Sequence, residues 1–172
     1  MDSITFFLEQ LEALYEFAEI GDPNAVDDPY FAELVAEYKA QDAALTRMHK
    51  RLSEEGFGMT LKHTSREWWA FILPDASCPG HYRYQVFGRD GFVGHFTYST
   101  VMETLIEMVR AGFTQDACRN TLESVSSTKL WEIGSAKVEL MTQLNSGAIS
   151  QSYYEREVNS LNTMLETQDE AA

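Results

Sequence analysis

Tyr82-Arg83-Tyr84-Gln85-Val86-Phe87-Gly88-Arg89-Asp90-Gly91-Phe92-Val93-Gly94-His95-Phe96-Thr97-Tyr98 decides the fold class. The run from Tyr82 to Phe87 alternates like a strand. So does Phe92 to Tyr98, with Phe92, Phe96 and Tyr98 on one side and Val93, His95 and Thr97 on the other. Gly88-Arg89-Asp90-Gly91 between them has the chemistry of a tight hairpin turn. Moving towards the N-terminus, Trp68 to Leu73 is dense in aromatic and branched residues, and Thr60 to His63 adds a shorter strand. Residues 57–98 therefore read as an antiparallel β-meander of three to four strands.

Helical periodicity flanks this centre. On the C-terminal side, Thr100-Val101-Met102-Glu103 fits a capping box, with Met102, Leu105, Ile106 and Val109 on one face before Gly112. Thr114 is expected to start a short helix through Leu122, and Ser127 another through Leu144, closed by Gly147. Ser150 or Ser152 opens a last helix, striped by Tyr154, Val158, Leu161 and Leu165. On the N-terminal side, Ser3 caps a helix with Ile4, Phe7, Leu8, Leu11, Leu14, Tyr15 and Ala18 at helical spacing, ended by Gly21 and Pro23. Asp28-Pro29 signals a second helix, a capping acid followed by proline at the first helical position. Its stripe of Phe31, Leu34, Tyr38, Leu45, Met48 and Leu52 is interrupted at Gln41, and it stops between Ser53 and Gly56. A short link between two helices predicts an antiparallel hairpin. The expectation is one α+β domain over residues 1–172: an acidic helical hairpin (1–55), the β-meander (57–98) and a helical part (100–166).

Charge is distributed unevenly. The chain carries 27 acids against 13 bases, a net charge of −14. Residues 1–55 hold 13 acids and 4 bases, residues 56–112 hold 5 of each, and residues 113–172 hold 9 and 4. Ten acids precede the first base, Lys39. Glu9, Glu12, Glu16 and Glu19 recur at helical spacing opposite the Ile4/Leu11/Ala18 stripe, so successive carboxylates stand ~5–6 Å apart, close to the phosphate spacing of a nucleic-acid strand. Asp22, Asp27, Asp28, Glu33 and Glu37 extend the surface. It repels nucleic acid and anionic membranes and attracts basic protein surfaces. A solvated acidic face accounts for the same nine residues without any partner.

Catalytic motifs are sparse. Cys78 and His81 are neighbours in Ser77-Cys78-Pro79-Gly80-His81, with His63 and His95 as further bases, but a thiolate nucleophile needs an oriented base. A Pro-Gly turn explains the same residues. Cys78 and Cys118 do not make a zinc knuckle or a disulfide framework, and no Cys-x-x-Cys or His-x-x-x-His occurs. The Gly88–Gly91 turn lacks the Lys-Ser/Thr pair of a phosphate loop. Glu67, before Trp68-Trp69, reads as a strand-edge charge. The aromatics of the meander point to core packing, with Arg66, Arg83 and Arg89 leaving a protein contact open. No metal or cofactor is expected. No apolar run approaches the ~18 residues of a membrane helix, and Met1-Asp2-Ser3 lacks the basic start of a secretory signal. A cytoplasmic protein follows.

Tyr84-Gln85-Val86-Phe87, Asp90-Gly91-Phe92-Val93-Gly94-His95, Tyr98-Ser99-Thr100 and the run from Glu103 to Phe113 resemble a strand–turn–strand–helix segment of uncharacterised accessory proteins of bacterial plasmids and phages. That resemblance carries no known active site. With the acidity, it implies by analogy a counter-defence role of the anti-CRISPR or antirestriction kind. The expected function is a non-enzymatic, acidic inhibitor that mimics DNA and covers the basic surface of a nucleic-acid-handling protein. The alternatives are a self-associating structural or regulatory module of a mobile element, a homodimer included, and an enzyme using Cys78 and the histidines.

Overall fold

Pro29 begins a 27-residue helix, α2 (Pro29–Glu55), which serves as the spine of the first part of the chain. The computed structural model describes the backbone of residues 5–17 and 29–169, and their side chains except at 15–17 and 166–169. Helix α1 (Phe6–Phe17) packs along α2. Its inward residues Phe7 and Leu11 are buried, and the Phe7 ring stacks on Tyr38. Ser3, expected to cap this helix, lies outside the described residues. Asp42 accepts hydrogen bonds from the backbone N–H groups of Phe7 and Leu8, both at 2.9 Å.

The sheet follows: β1 (Thr60–His63), β2 (Trp69–Pro74), β3 (Tyr82–Gly88) and β4 (Gly91–Tyr98), then α3 (Val101–Arg110) and β5 (Phe113–Asp116). All five strands run antiparallel in the order β4-β3-β2-β1-β5. The expected meander over residues 57–98 is present with four strands, and a fifth, β5, joins the sheet from beyond it. That strand corrects the helix expected to start at Thr114. Residues 113–116 pair with β1, Leu61 opposite Asp116 and Lys62 opposite Gln115, and the register slips between Lys62 and His63. Only Phe113 of the four is buried, so local alternation is too short to announce a strand. Pairing with β1, some fifty residues away, creates it.

Two compact units emerge from the way residues cluster: Met1–Gln85 with His95–Ala117, and Val86–Gly94 with Cys118–Ala172. In the first, Leu45 and Met48 of α2, Leu61 of β1, Ile72 of β2, and Leu105, Met108 and Val109 of α3 are fully buried. Arg51 ties α2 to β5, pairing with Asp116 at 2.7 Å and with Glu55 at 2.8 Å, while Arg47 donates to the Thr114 carbonyl. The capping box of α3 forms with a variation. Thr100 Oγ1 accepts from the Glu103 N–H, and the Glu103 carboxylate accepts from the backbone and hydroxyl of Ser99 as well as from the Thr100 backbone.

The second unit holds the tip of the β3–β4 hairpin and three helices, α4 (Thr121–Ser126), α5 (Lys129–Asn145) and α6 (Gln151–Asp169). Thr128 caps α5 through the Trp131 N–H, and Ser150 receives the Tyr153 N–H at the start of α6. Trp131 meets Phe87 and Phe92 edge to face, with ring centroids 6.1 and 5.1 Å away. Gly134 lets the helix approach the hairpin turn: a Cβ there would overlap the carbonyl oxygen of Asp90.

Candidate functional site

The acidic face begins with α1 and the first half of α2. Glu9 and Glu12 on α1 and Glu33 and Glu37 on α2 are exposed. Glu16 lies on α1, of which only the backbone is described there, and Glu19, Asp22, Asp27 and Asp28 fall outside the described residues. Glu9 accepts from the Thr5 hydroxyl and Glu37 from the Gln41 amide, both at 3.1 Å. The bases later in α2 pair with other acids: Arg47 and Arg51 with Asp116, Lys50 with Glu54, Arg51 with Glu55.

Two residues that shape this face escape a reading of the N-terminal segment alone. One is Asp42, only 6% exposed and bonded to the first turn of α1. A polar residue four positions after Tyr38 and three before Leu45, next to the interruption at Gln41, is the signal that marks it. The other is Arg110 of α3. Its guanidinium lies over the rings of Phe6 and Phe7, 5.1 and 5.7 Å from their centroids, and donates to Gln10 Oε1 at 2.8 Å and Glu107 Oε1 at 2.6 Å. The first 38 residues contain no base, yet tertiary structure brings one to the start of α1.

Cys78 and His81 are the first and last residues of a turn closed by the His81 N–H on the Cys78 carbonyl at 3.0 Å. Proline at its second position and Gly80 at its third, with φ of +85°, are the residues a type II turn requires. Asp75 organises the connection around it. Its buried carboxylate accepts from the backbone and hydroxyl of Ser77 and from the Thr97 hydroxyl, and Arg83 Nη1 stands 4.0 Å away. The Ser77 bonds first, then Thr97, hold the Asp75 carboxyl well below the usual carboxylate range. His81 Nδ1 and Arg83 Nε are buried without a hydrogen-bond partner.

The other candidate groups are dispersed. His95 and Cys118 are exposed. His63 is packed edge to face against Trp68 and Phe113, with ring centroids 6.4 and 5.2 Å away, and its Nδ1 accepts the Ser65 N–H at 3.1 Å. Burial, then the charge of Arg66, push its pKa below the ordinary value. Glu67 pairs with Lys62 at 2.8 Å. Among the described residues, no group of three or more His, Cys, Asp or Glu side chains is placed to hold a metal, and no helix is long and apolar enough to cross a membrane.

The aromatic residues divide between core and surface. Tyr84 is buried, stacked on Phe96 and Tyr98 with centroids 5.1 and 6.1 Å away. Phe92 and Phe96 remain 53% exposed, so the edge strand β4 presents apolar surface as well as packing it. Arg66 lies over Trp68, 4.6 Å from the ring centroid. An apolar groove of about 340 Å³ separates the end of α2 from the start of α3, lined by His49, Leu52, Phe57, Val101, Met102 and Leu105. In comparisons with known proteins, no family model, no curated protein and no solved structure matches the chain.

Proposed function

We propose that the protein is a non-enzymatic binding protein whose α1–α2 face covers a basic, nucleic-acid-binding surface of another protein. The observation that carries this reading is the mounting of α1. Asp42 fixes the first turn from a buried position, while Glu9 and Glu12 stand exposed on the same helix. A carboxylate row on a docked helix loses less conformational freedom on binding than one on a mobile segment. Glu33 and Glu37, exposed on α2, add to the same field. The occupied surface on the partner is one that otherwise receives phosphates, since the helical repeat sets carboxylates ~5–6 Å apart.

The test replaces Glu9, Glu12, Glu16 and Glu19 together by lysine and measures binding to a panel of basic nucleic-acid enzymes that includes CRISPR effectors and restriction enzymes. The reading requires binding by the native chain, loss of it in the variant with the far-UV circular dichroism unchanged, and steep weakening with salt, because the Debye length is only ~10 Å at 0.1 M. Equal binding by the variant overturns it.

A further inference from the structure

His63 ends β1 and lies against the corner where α3 turns into β5. Both of its ring nitrogens are engaged. Nδ1 accepts the Ser65 N–H at 3.1 Å, with the Ser65 hydroxyl 3.4 Å away. A neutral imidazole that accepts at one nitrogen carries its proton on the other, so Nε2 donates to the backbone carbonyl of Ala111, the C-cap of α3. Gly112 follows with a φ of +91°, and a Cβ there would stand 2.9 Å from Nε2. The corner therefore wraps the ring with no side chain between them, and the Gly112 carbonyl accepts the Thr64 N–H at 3.0 Å. The regular β1–β5 register is interrupted between Lys62 and His63, so the ring's bonds supply part of the connection at the end of the ladder.

We propose that His63 is a proton-operated latch on the α3–β5 corner: the neutral ring holds the corner to β1, and protonation of Nδ1 loosens it. An imidazolium donates from both nitrogens. The Ser65 N–H then loses its acceptor and faces another N–H; the Ser65 hydroxyl can turn to accept, but the backbone cannot. The surrounding charges do not compensate. Arg66, on the loop after β1, is the charge that acts on the ring, and no carboxylate among the described residues offsets it. Lys62 and Glu67 pair with each other at 2.8 Å, and Arg110 and Glu107 of α3 at 2.6 Å. From α2, Glu37 shares a cavity of about 240 Å³ with Thr64, Arg110 and Gly112, and accepts from Gln41. The charged residue of β5, Asp116, is held by Arg51 at 2.7 Å. The corner also carries Arg110, whose guanidinium lies over Phe6 and Phe7, so the latch stands where α3 reaches α1. A freed imidazole has the ordinary pKa of ~6.5, so at ~pH 5 proton binding raises the opening equilibrium by up to about thirtyfold over its value above pH 7.

Hydrogen exchange of the full chain at ~pH 7.5 and ~pH 5, corrected for the intrinsic pH dependence of exchange, tests the latch. In the native chain the protection of residues 111–116 should fall at the lower pH by at least about threefold and at most about thirtyfold. His63→Gln has no proton to gain there and should lose this response. His95→Gln, at an exposed histidine, should respond as the native chain does. Far-UV circular dichroism checks that both variants fold. Nuclear magnetic resonance of the unmodified chain supplies a readout free of mutation: the His63 ring should titrate below ~6.5, with the Ser65 and Gly112 amide shifts moving in step. The same pH response in His63→Gln, unchanged protection of 111–116 in the native chain, or a His63 ring that titrates without moving Ser65 and Gly112 each overturns the proposal.

Discussion

Replacing Asp42 by alanine should loosen α1 from α2 and cost about 2–4 kcal/mol of stability. The magnitude follows from what its carboxylate holds. It accepts two backbone N–H groups at 2.9 Å, one from the fully buried Phe7 and one from the part-buried Leu8. Hydrogen bonds to a charged group contribute ~1.5–3 kcal/mol each, and a buried donor left without an acceptor costs ~1–3 kcal/mol. The Leu8 N–H regains water more readily than the Phe7 N–H, so the two losses do not simply add. The total still exceeds the ~1 kcal/mol typical of a local N-cap, because the cap here also joins two helices. The negative charge at the helix N-terminus adds a favourable interaction with the helix dipole. Asp42→Asn keeps one acceptor oxygen and turns an amide donor towards a second donor, so its effect should be intermediate. Urea unfolding followed by far-UV circular dichroism gives the stability, and hydrogen exchange over residues 6–14 reports whether α1 opens on its own. If Asp42→Ala shifts stability by less than ~0.5 kcal/mol and leaves those amides protected, well below the stated range, the capping argument fails.

Three further outcomes are expected. His63 has a folded-state pKa below its unfolded value near 6.5, so its contribution is fully present above that value and is lost as pH falls through the folded pKa. Urea midpoints at ~pH 7.5 and ~pH 5 should differ less in His63→Gln than in the native chain. Gly134→Ala should destabilise the second unit despite the ~1 kcal/mol helix preference for alanine, because the new Cβ meets the Asp90 carbonyl. A net loss of about 1–3 kcal/mol is expected from such overpacking, read as a lower urea midpoint. Cys78→Ala with His81→Ala should leave partner binding intact, because the turn they bracket is closed through backbone atoms and fixed by Asp75; loss of binding with the fold retained would contradict that structural role.

Much of the fold is legible because its signals are local. Asp28-Pro29 announces α2, Thr100 announces α3, and the alternation around Gly88–Gly91 announces the β3–β4 hairpin. β5 is not legible, because Phe113-Thr114-Gln115-Asp116 acquires its strand form from a distant partner, and its Thr and Asp also serve as helix-cap residues. The acidic segment is legible as composition but not as a surface. The sequence shows acids without a base through residue 38, and it gives no sign that Arg110 will lie over Phe6 and Phe7. Asp42 is the opposite case. Its position beside an apolar stripe is visible, but the two N–H groups that explain it belong to a helix about 35 residues earlier.

Salt tests the proposed acidic interface, because charge and apolar burial respond to it in opposite ways. Binding through Glu9, Glu12, Glu33 and Glu37 depends on exposed charge and should weaken as ionic strength rises and the Debye length falls from ~10 Å at 0.1 M to ~3 Å at 1 M. Apolar burial is maintained or strengthened by strongly hydrated salts such as sulfate. Raising sodium sulfate from ~0.05 to ~0.5 M should therefore release a basic partner held by the carboxylates. If sulfate holds or tightens the complex instead, apolar surface carries the binding, and the role assigned to the acidic helices is wrong.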